Sequence, residues 1–284
     1  MTQLAQALRR AEAILAKAGV ASPLVDAKLL AANRLACSPM ELHFRMGDAA
    51  PEGFWEDIER RAQREPLQHI TGVAYFGPLE LKVGPGVFVP RPETEVLADW
   101  AVRRTKPGDT VVDLCTGSGA LAAYVASFAD AKVWAVEQSE EAIAYARQNL
   151  PTAVTLVQGD AGDVEKLGGL ARLRGKVDVL VSNPPYVPES DALPAEVYHD
   201  PYEAVFAGAD GMELIPRLLD VAYALLGDGG VLAVEHDDAT SVEVQKAFSA
   251  AGFDEVEVLK DLTGTPRFVT GSKLSAQPLK EEER

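Results

Sequence analysis

Val177-Asp178-Val179-Leu180-Val181-Ser182-Asn183-Pro184-Pro185-Tyr186 is a largely apolar, β-branched run that stops at an asparagine and two prolines. Such a run reads as a short strand buried on both faces, the kind found in parallel sheets. Asn183 then falls at the carboxyl end of the strand, where open α/β sheets bind ligands. Two successive prolines forbid the ladder and helix pairings that would otherwise occupy the local carbonyls. The side-chain carbonyl of Asn183 and the backbone carbonyl of Pro184 are therefore left as two convergent acceptors, which suits one NH2 group. A clamp of that kind holds an amide or aromatic amine with its nitrogen lone pair facing outward. Tyr186 is placed to lie over the flat group or beside a cation. The plainer alternative is a tight turn after a strand, since Asn-Pro is a common turn signal.

Working outward from this strand, the chain from Thr110 onward alternates strands with helices. Strands are expected at 110–114, 132–136, 154–158, 177–182, 229–235, 254–259 and 266–270, with helices near 92–104, 119–129, 139–149, 212–226 and 239–251. This alternation predicts a doubly wound, Rossmann-like α/β sheet. Only Lys260–Pro266 separates the last two strands, so the final one is expected to run antiparallel. Residues 183–211 carry no periodicity, and long segments of that kind are usually functional or disordered. Before the sheet, Leu4, Leu8, Ala11 and Leu15, then Val25, Leu29, Leu30 and Ala32, then Trp55, Ile58 and Ala62 keep helical spacing. The expected division is an all-helical domain over 1–72, a β-hairpin linker over 73–91, the sheet domain over 92–272, and a disordered tail over 273–284.

Composition narrows the function classes. No apolar stretch approaches a membrane span, and Arg9, Arg10 and Glu12 break any leader-like run at the start, so no signal peptide or anchor is expected. Cys37 and Cys115 lie far apart and make no metal spacing, and His43, His69, His199 and His236 form no ligand cluster. This suits a reducing cytoplasm and no metal. The net charge is −16, and residues 1–75 hold nine of the 27 basic and nine of the 43 acidic residues, so the whole acidic excess follows them. An acidic sheet domain without a Lys/Arg stripe argues against nucleic acid as a partner.

The first strand of the alternation runs into Asp113-Leu114-Cys115-Thr116-Gly117-Ser118-Gly119 and then a helix. Gly117 and Gly119 permit a tight turn with close backbone approach, and the helix start offers free N–H groups to a polar or anionic ligand. Dinucleotide sites use a similar loop. Here Asp113 precedes the glycines and Ala122 replaces the third glycine, which favours S-adenosylmethionine over NAD. Glu137 ends the second strand, about 20 residues after the glycines, and can accept bonds from both ribose hydroxyls. Asp160 ends the third, either where an adenine amino group binds or as the N-cap of the next helix. Cys115 reads as a small packing residue.

Together these pieces resemble the peptide-chain release factor glutamine methyltransferases of the HemK/PrmC type. The resemblance rests on Pro66-Leu-Gln-His-Ile-Thr-Gly72, Val89-Pro-Arg-Pro-Glu-Thr-Glu95, Asp113-Leu-Cys-Thr-Gly-Ser-Gly119 and Val181-Ser-Asn-Pro-Pro-Tyr186. It continues through Asp200-Pro-Tyr-Glu-Ala-Val205 and Gly229-Gly-Val-Leu-Ala-Val-Glu-His236. The Asn-Pro-Pro-Tyr tetrad alone is shared with DNA adenine methyltransferases, whereas the Arg-Pro-Glu-Thr-Glu segment is more specific. Cys115 departs from a commoner glycine, Glu137 from a frequent aspartate, and Asp200 from the glutamate usual before the proline. Ala161 stands where a larger side chain often touches the adenine.

What the resemblance implies is a class I methyltransferase that carries a methyl group from S-adenosylmethionine to the side-chain amide nitrogen (N5) of a glutamine in class I release factors. Asn183, Pro184 and Tyr186 would be catalytic. Asp113, Thr116, Gly117, Gly119, Glu137, Asp160 and Asn183 would hold the cofactor, and Asn183, Pro184, Pro185, Tyr186 and Arg91 the substrate. Arg91, Glu93, Thr94 and Glu95 also suit a helix start, with Pro92 early and acids in the first turn. Glu235 and His236 read as structural. The alternatives are an adenine-N6 methyltransferase acting on nucleic acid, and a dinucleotide-binding module without catalysis.

Overall fold

The computed structural model describes residues 3–189 and 193–274. Helices α1 (Leu4–Lys17), α2 (Pro23–Arg34), α3 (Phe54–Ala62) and α4 (Leu67–Thr71) come first. A two-stranded hairpin follows, β1 (Val73–Phe76) and β2 (Leu79–Lys82). The remaining elements are α5 (Glu95–Arg104), β3 (Thr110–Leu114), α6 (Ala120–Phe128), β4 (Lys132–Glu137), α7 (Glu140–Asn149), β5 (Thr155–Gln158), β6 (Val177–Ser182), α8 (Tyr202–Val205), α9 (Ile215–Leu225), β7 (Leu226–Glu235), α10 (Ser241–Ala250), β8 (Asp254–Lys260) and β9 (Pro266–Ser272).

The chain divides into two units. One contains the described residues of 1–74 with 83–85 and 193–200, and the other contains 75–82, 86–189 and 201–274. In the helical unit, Leu4, Leu8, Ala11 and Leu15 form the buried stripe of α1 and meet Leu30 and Ala31 of α2 and Phe54 and Ile58 of α3. Pro23 starts α2 at a position whose N–H has no helical partner anyway. Val25, expected on the apolar face, is exposed, while Asp26 one residue on is buried and accepts from Arg61 Nε at 2.8 Å. The short segment Ala195–His199 also belongs to this unit. Its Glu196 receives Arg64 Nε at 2.7 Å and Arg61 Nη2 at 3.0 Å.

The larger unit is built on a seven-stranded sheet in the order β5-β4-β3-β6-β7-β9-β8. β5, β4, β3, β6 and β7 are parallel, and β9 lies antiparallel between β7 and β8. The fold is therefore a Rossmann-like class I methyltransferase sheet, distinct from the all-parallel order of dinucleotide domains. Both faces are covered, which explains why its strands read as continuous apolar runs. Val112, Leu114, Leu180 and Leu232 pack against Leu218, Leu219 and Leu225 of α9 and Phe248 of α10. Val111, Val179, Val181 and Ala233 face Leu97 and Ala101 of α5 and Leu121 and Val125 of α6.

Two expectations change. The hairpin ends at Lys82, and 86–90 run on to a cavity wall instead of extending the linker strand. Lys273, placed in the tail, is held by Nζ bonds to the carbonyls of Tyr223 at 2.7 Å and Leu226 at 2.8 Å. The rest of the tail, 275–284, lies outside the described residues.

Candidate active site

Register places Leu114 beside Val136 on one side and Ser182 on the other, with Ser182 beside Val234. The carboxyl ends of β4, β3, β6 and β7 therefore stand in one row. The chain order turns back at β3, which has β4 on one flank and β6 on the other, so this is the topological switch point where such sheets bind ligands. Ser182 Oγ donates to the Leu114 carbonyl at 2.7 Å and ties the two central strand ends together.

A cavity of about 580 Å³ opens there, within the size range of small-molecule sites. Thr116, Gly117, Glu137, Asp160, Asn183 and Pro185 form part of its wall, with Val87, Phe88, Leu121, Val136, Ala161 and Leu214 supplying apolar surface. Sequence reasoning missed Phe88, Phe206 and Arg217, all of which also line it.

The loop after β3 needs left-handed backbone at three positions: Cys115 at φ 62°, Gly117 at φ 56° and Gly119 at φ 87°. Glycine adopts such angles at no steric cost, while Cys115 bears strain of about 1–2 kcal/mol. A Cβ on Gly117 would meet nothing within 4 Å, so its φ, not crowding, is what calls for glycine. Gly119 is the N-cap of α6. Burial first, and then Glu137, push the Cys115 thiol up, so it is not a reactive thiolate.

Glu137 is preorganised. Gly117 N donates to Oε2 at 2.8 Å, and Gln138 N and Ser139 N donate to Oε1 at 2.8 and 2.9 Å. Three backbone N–H groups hold the carboxylate at the cavity wall with lone pairs to spare for hydroxyl donors. Asp160 accepts from Gly162 N at 2.8 Å and lies 3.1 Å from Arg217 Nη2. It is not the helix cap, because Asp163 caps the following 3₁₀ turn. A carboxylate flanked by a glycine loop and an apolar cleft fits an adenosyl group.

Among the described residues, Asp113, Gly119, Pro184, Tyr186 and Arg91 are not part of the cavity wall. Asp113 is buried and serves the loop: its Oδ2 accepts from Thr116 Oγ1 at 2.5 Å and from Ala122 N at 3.1 Å. Burial lifts its carboxyl to about 7 against the pull of those two bonds. Arg91 stacks over Phe88, 4.8 Å from the ring centre. Tyr186 does not cover the cavity either. Its hydroxyl donates to Glu235 Oε1 at 2.9 Å, and burial and Glu235 hold the phenol well above its ordinary range.

Glu235, expected to be structural, is the hub of this network. Its Oε2 accepts from Thr94 Oγ1 at 2.7 Å, and Thr94 Oγ1 in turn accepts from Asn183 Nδ2 at 3.2 Å. Thr94 also lines the cavity. Burial raises the Glu235 carboxyl to about 7, opposed by the bonds from Thr94 and Tyr186. The strand-end rule that singled out Asp113, Glu137 and Asn183 applies equally to Glu235 at the end of β7 and is the signal that could have found it.

Comparison with known proteins bears on the family. Residues 6–72 match the PrmC N-terminal domain and residues 82–200 the methyltransferase small domain. The chain is 54% identical to the release factor glutamine methyltransferase of Corynebacterium glutamicum, over 96% of its own length and 100% of the relative. This chain belongs to the release factor glutamine methyltransferase family. A second member, from Mycolicibacterium smegmatis, is 50% identical over 97% of this chain and 99% of its own. Among solved structures, a methyltransferase from Pyrococcus furiosus shares the fold, with a TM-score of 0.54 and 22% identity over 76% of this chain and 99% of its own. As a release factor glutamine methyltransferase by family, the chain is a methyltransferase. No helix among its described residues is long and apolar enough to cross a membrane.

Proposed function

We propose that this enzyme transfers a methyl group from S-adenosylmethionine to the N5 amide nitrogen of a glutamine in class I release factors, in the cytoplasm and without binding nucleic acid directly. The observation that carries this reading is the pairing, in one cavity, of the Glu137 carboxylate with the Asn183 amide, whose Nδ2 is already committed to Thr94. When bound, S-adenosylmethionine supplies an electrophilic methyl group on a sulfonium. Glu137 takes the ribose hydroxyls, the loop at Thr116–Gly119 lies against the chain of the cofactor, and Ala161 and Asp160 border the adenine. Asn183 Oδ1, together with the Pro184 carbonyl, accepts from the target NH2.

A carboxamide nitrogen is a poor nucleophile because its lone pair is delocalised into the carbonyl. Fixing the NH2 between two acceptors favours rehybridisation and aligns nitrogen with methyl, and positioning of this sort supplies roughly 7–11 kcal/mol of a barrier. The same acceptors strengthen as positive charge grows on nitrogen. Substrate capture falls to the helical unit, whose motifs include no catalytic constellation.

Mass spectrometry of a release-factor digest after incubation with enzyme and isotopically labelled cofactor tests the reading. One labelled methyl on a glutamine side chain is expected. Methylated adenine in incubated DNA, with the release factor unmodified, overturns it.

A further inference from the structure

We infer that Glu235 and Thr94 are positioning residues whose directed hydrogen bonds fix which end of the Asn183 side-chain amide faces the cavity. The inference deepens the reading of Asn183 as an acceptor for the target amide and rests on it.

The direction of each bond follows from how many protons the groups have. An ionised carboxylate only accepts, and a hydroxyl has one proton to give. Glu235 is 1% exposed and lies between two hydroxyls, Thr94 Oγ1 at 2.7 Å and Tyr186 Oη at 2.9 Å. Both hydroxyl protons are thereby spent on the carboxylate. Thr94, 4% exposed, has only lone pairs left, and Asn183 presents Nδ2 to them at 3.2 Å. The donor end of the amide is thus turned inward and Oδ1 outward. The flipped amide would set oxygen against oxygen at Thr94 and present an NH2 to the NH2 of the substrate. A clamp made of acceptors would then contain a donor.

The chain of bonds also has a polarity that depends on Glu235. Once protonated, the carboxyl can donate to Thr94, and the threonine proton is freed to point at Asn183. The favoured partner is then Oδ1, so the amide turns over. The charged and titratable groups around Glu235 are few. Glu93 of the 3₁₀ turn before α5 disfavours its ionisation, whereas Arg267 of β9, 3.6 Å from Asp261, favours it. Arg91 acts on Tyr186, and burial lowers the His236 imidazole below its ordinary range. Burial outweighs the bonds from Thr94 and Tyr186 and the pull of Arg267, and raises the carboxyl to about 7. Turnover should therefore rise with pH through that point.

The test is steady-state kinetics on the full chain with a release factor as methyl acceptor, cofactor saturating, from about pH 5.5 to 9. Thr94→Val keeps the shape and removes the hydroxyl. Its kcat should fall about tenfold or more while KM for the release factor and Kd for the cofactor move less than about threefold, the pattern of an interaction made in the transition state. Thr94→Ser should recover most of the lost turnover. The parent should show an acid limb near pH 7, and Glu235→Gln should lose it. Asn183→Ala, run alongside, separates the two ideas. Normal turnover in Asn183→Ala removes the acceptor reading and this inference with it. A deficient Asn183→Ala beside a Thr94→Val within about twofold of the parent overturns the positioning role alone. So does a Thr94→Ser no better than Thr94→Val, or an unchanged acid limb in Glu235→Gln. Should Glu235→Gln fail to fold, the two threonine variants still decide.

Discussion

At the scale of single residues, the proposed function divides binding from chemistry between Glu137 and Asn183. Glu137 is held by three backbone N–H groups, so its carboxylate is ready before any ligand arrives. In Glu137→Ala the ribose hydroxyls lose a charged acceptor, at a cost of roughly 1.5–3 kcal/mol, or about tenfold or more in cofactor Kd. Calorimetry checks this, and unchanged affinity would move the ribose contact elsewhere. Asn183 lines the same cavity, and the proposed function gives it the target amide. Asn183→Ala removes an acceptor that matters most in the transition state, so kcat should fall by about 10²–10³ with little change in cofactor Kd. Near-normal methyl transfer to glutamine at saturating cofactor would refute the clamp.

Secondary-structure elements contribute by aiming these residues. The parallel register of β4, β3, β6 and β7 sets four strand ends in one row. The segment Ala195–His199 follows a different logic, because it belongs with the helices through Arg64 and Arg61, which grip Glu196. Burial alone would raise the Glu196 carboxyl, yet the bonds from Arg64 and Arg61 hold it at about 2. A carboxyl depressed in the folded state adds stability that is present above its unfolded pKa and disappears as pH falls through the folded one. Arg64→Ala should therefore cost about 1 kcal/mol at pH 7, discounted for the partial exposure of the pair. The difference from the parent should shrink between about pH 4.5 and 2. Urea denaturation at pH 7 and pH 3 reads this directly, and an equal deficit at both would show that the pair does not carry it.

For the whole molecule, the residues that wall the cavity fall within 86–185 and 201–217, all in the larger unit. Removing 1–72 should leave cofactor Kd within a few-fold of the parent and abolish transfer to a folded release factor. The truncation also strips Glu196 of Arg61 and Arg64, so the 193–200 segment is the part of the remainder expected to change. Circular dichroism establishes folding and calorimetry reads cofactor binding. A folded remainder that no longer binds cofactor would refute this division of labour.

The sheet was legible because both its faces are buried, which forces apolar runs, and because ligands meet such sheets at strand ends, where Asp113, Glu137 and Asn183 stand out locally. Short-range chemistry also marked the glycine loop, since left-handed backbone selects glycine. What the sequence by itself could not determine is which atom each side chain meets. Asp113 and Tyr186 carry the right groups at the right strand ends, yet Asp113 turns into its own loop and Tyr186 toward Glu235. Thr94 meets Asn183 across 89 positions and Glu235 across 141, and Arg64 meets Glu196 across 132. Such contacts leave no periodicity, because each joins single residues from distant elements. The sequence alone determined the fold class and the row of strand ends, since both follow from local pattern and burial. Only the tertiary structure decided the direction of the Asn183 amide and the partners of Glu235, because a hydrogen bond is directional and is set when separate elements are brought together.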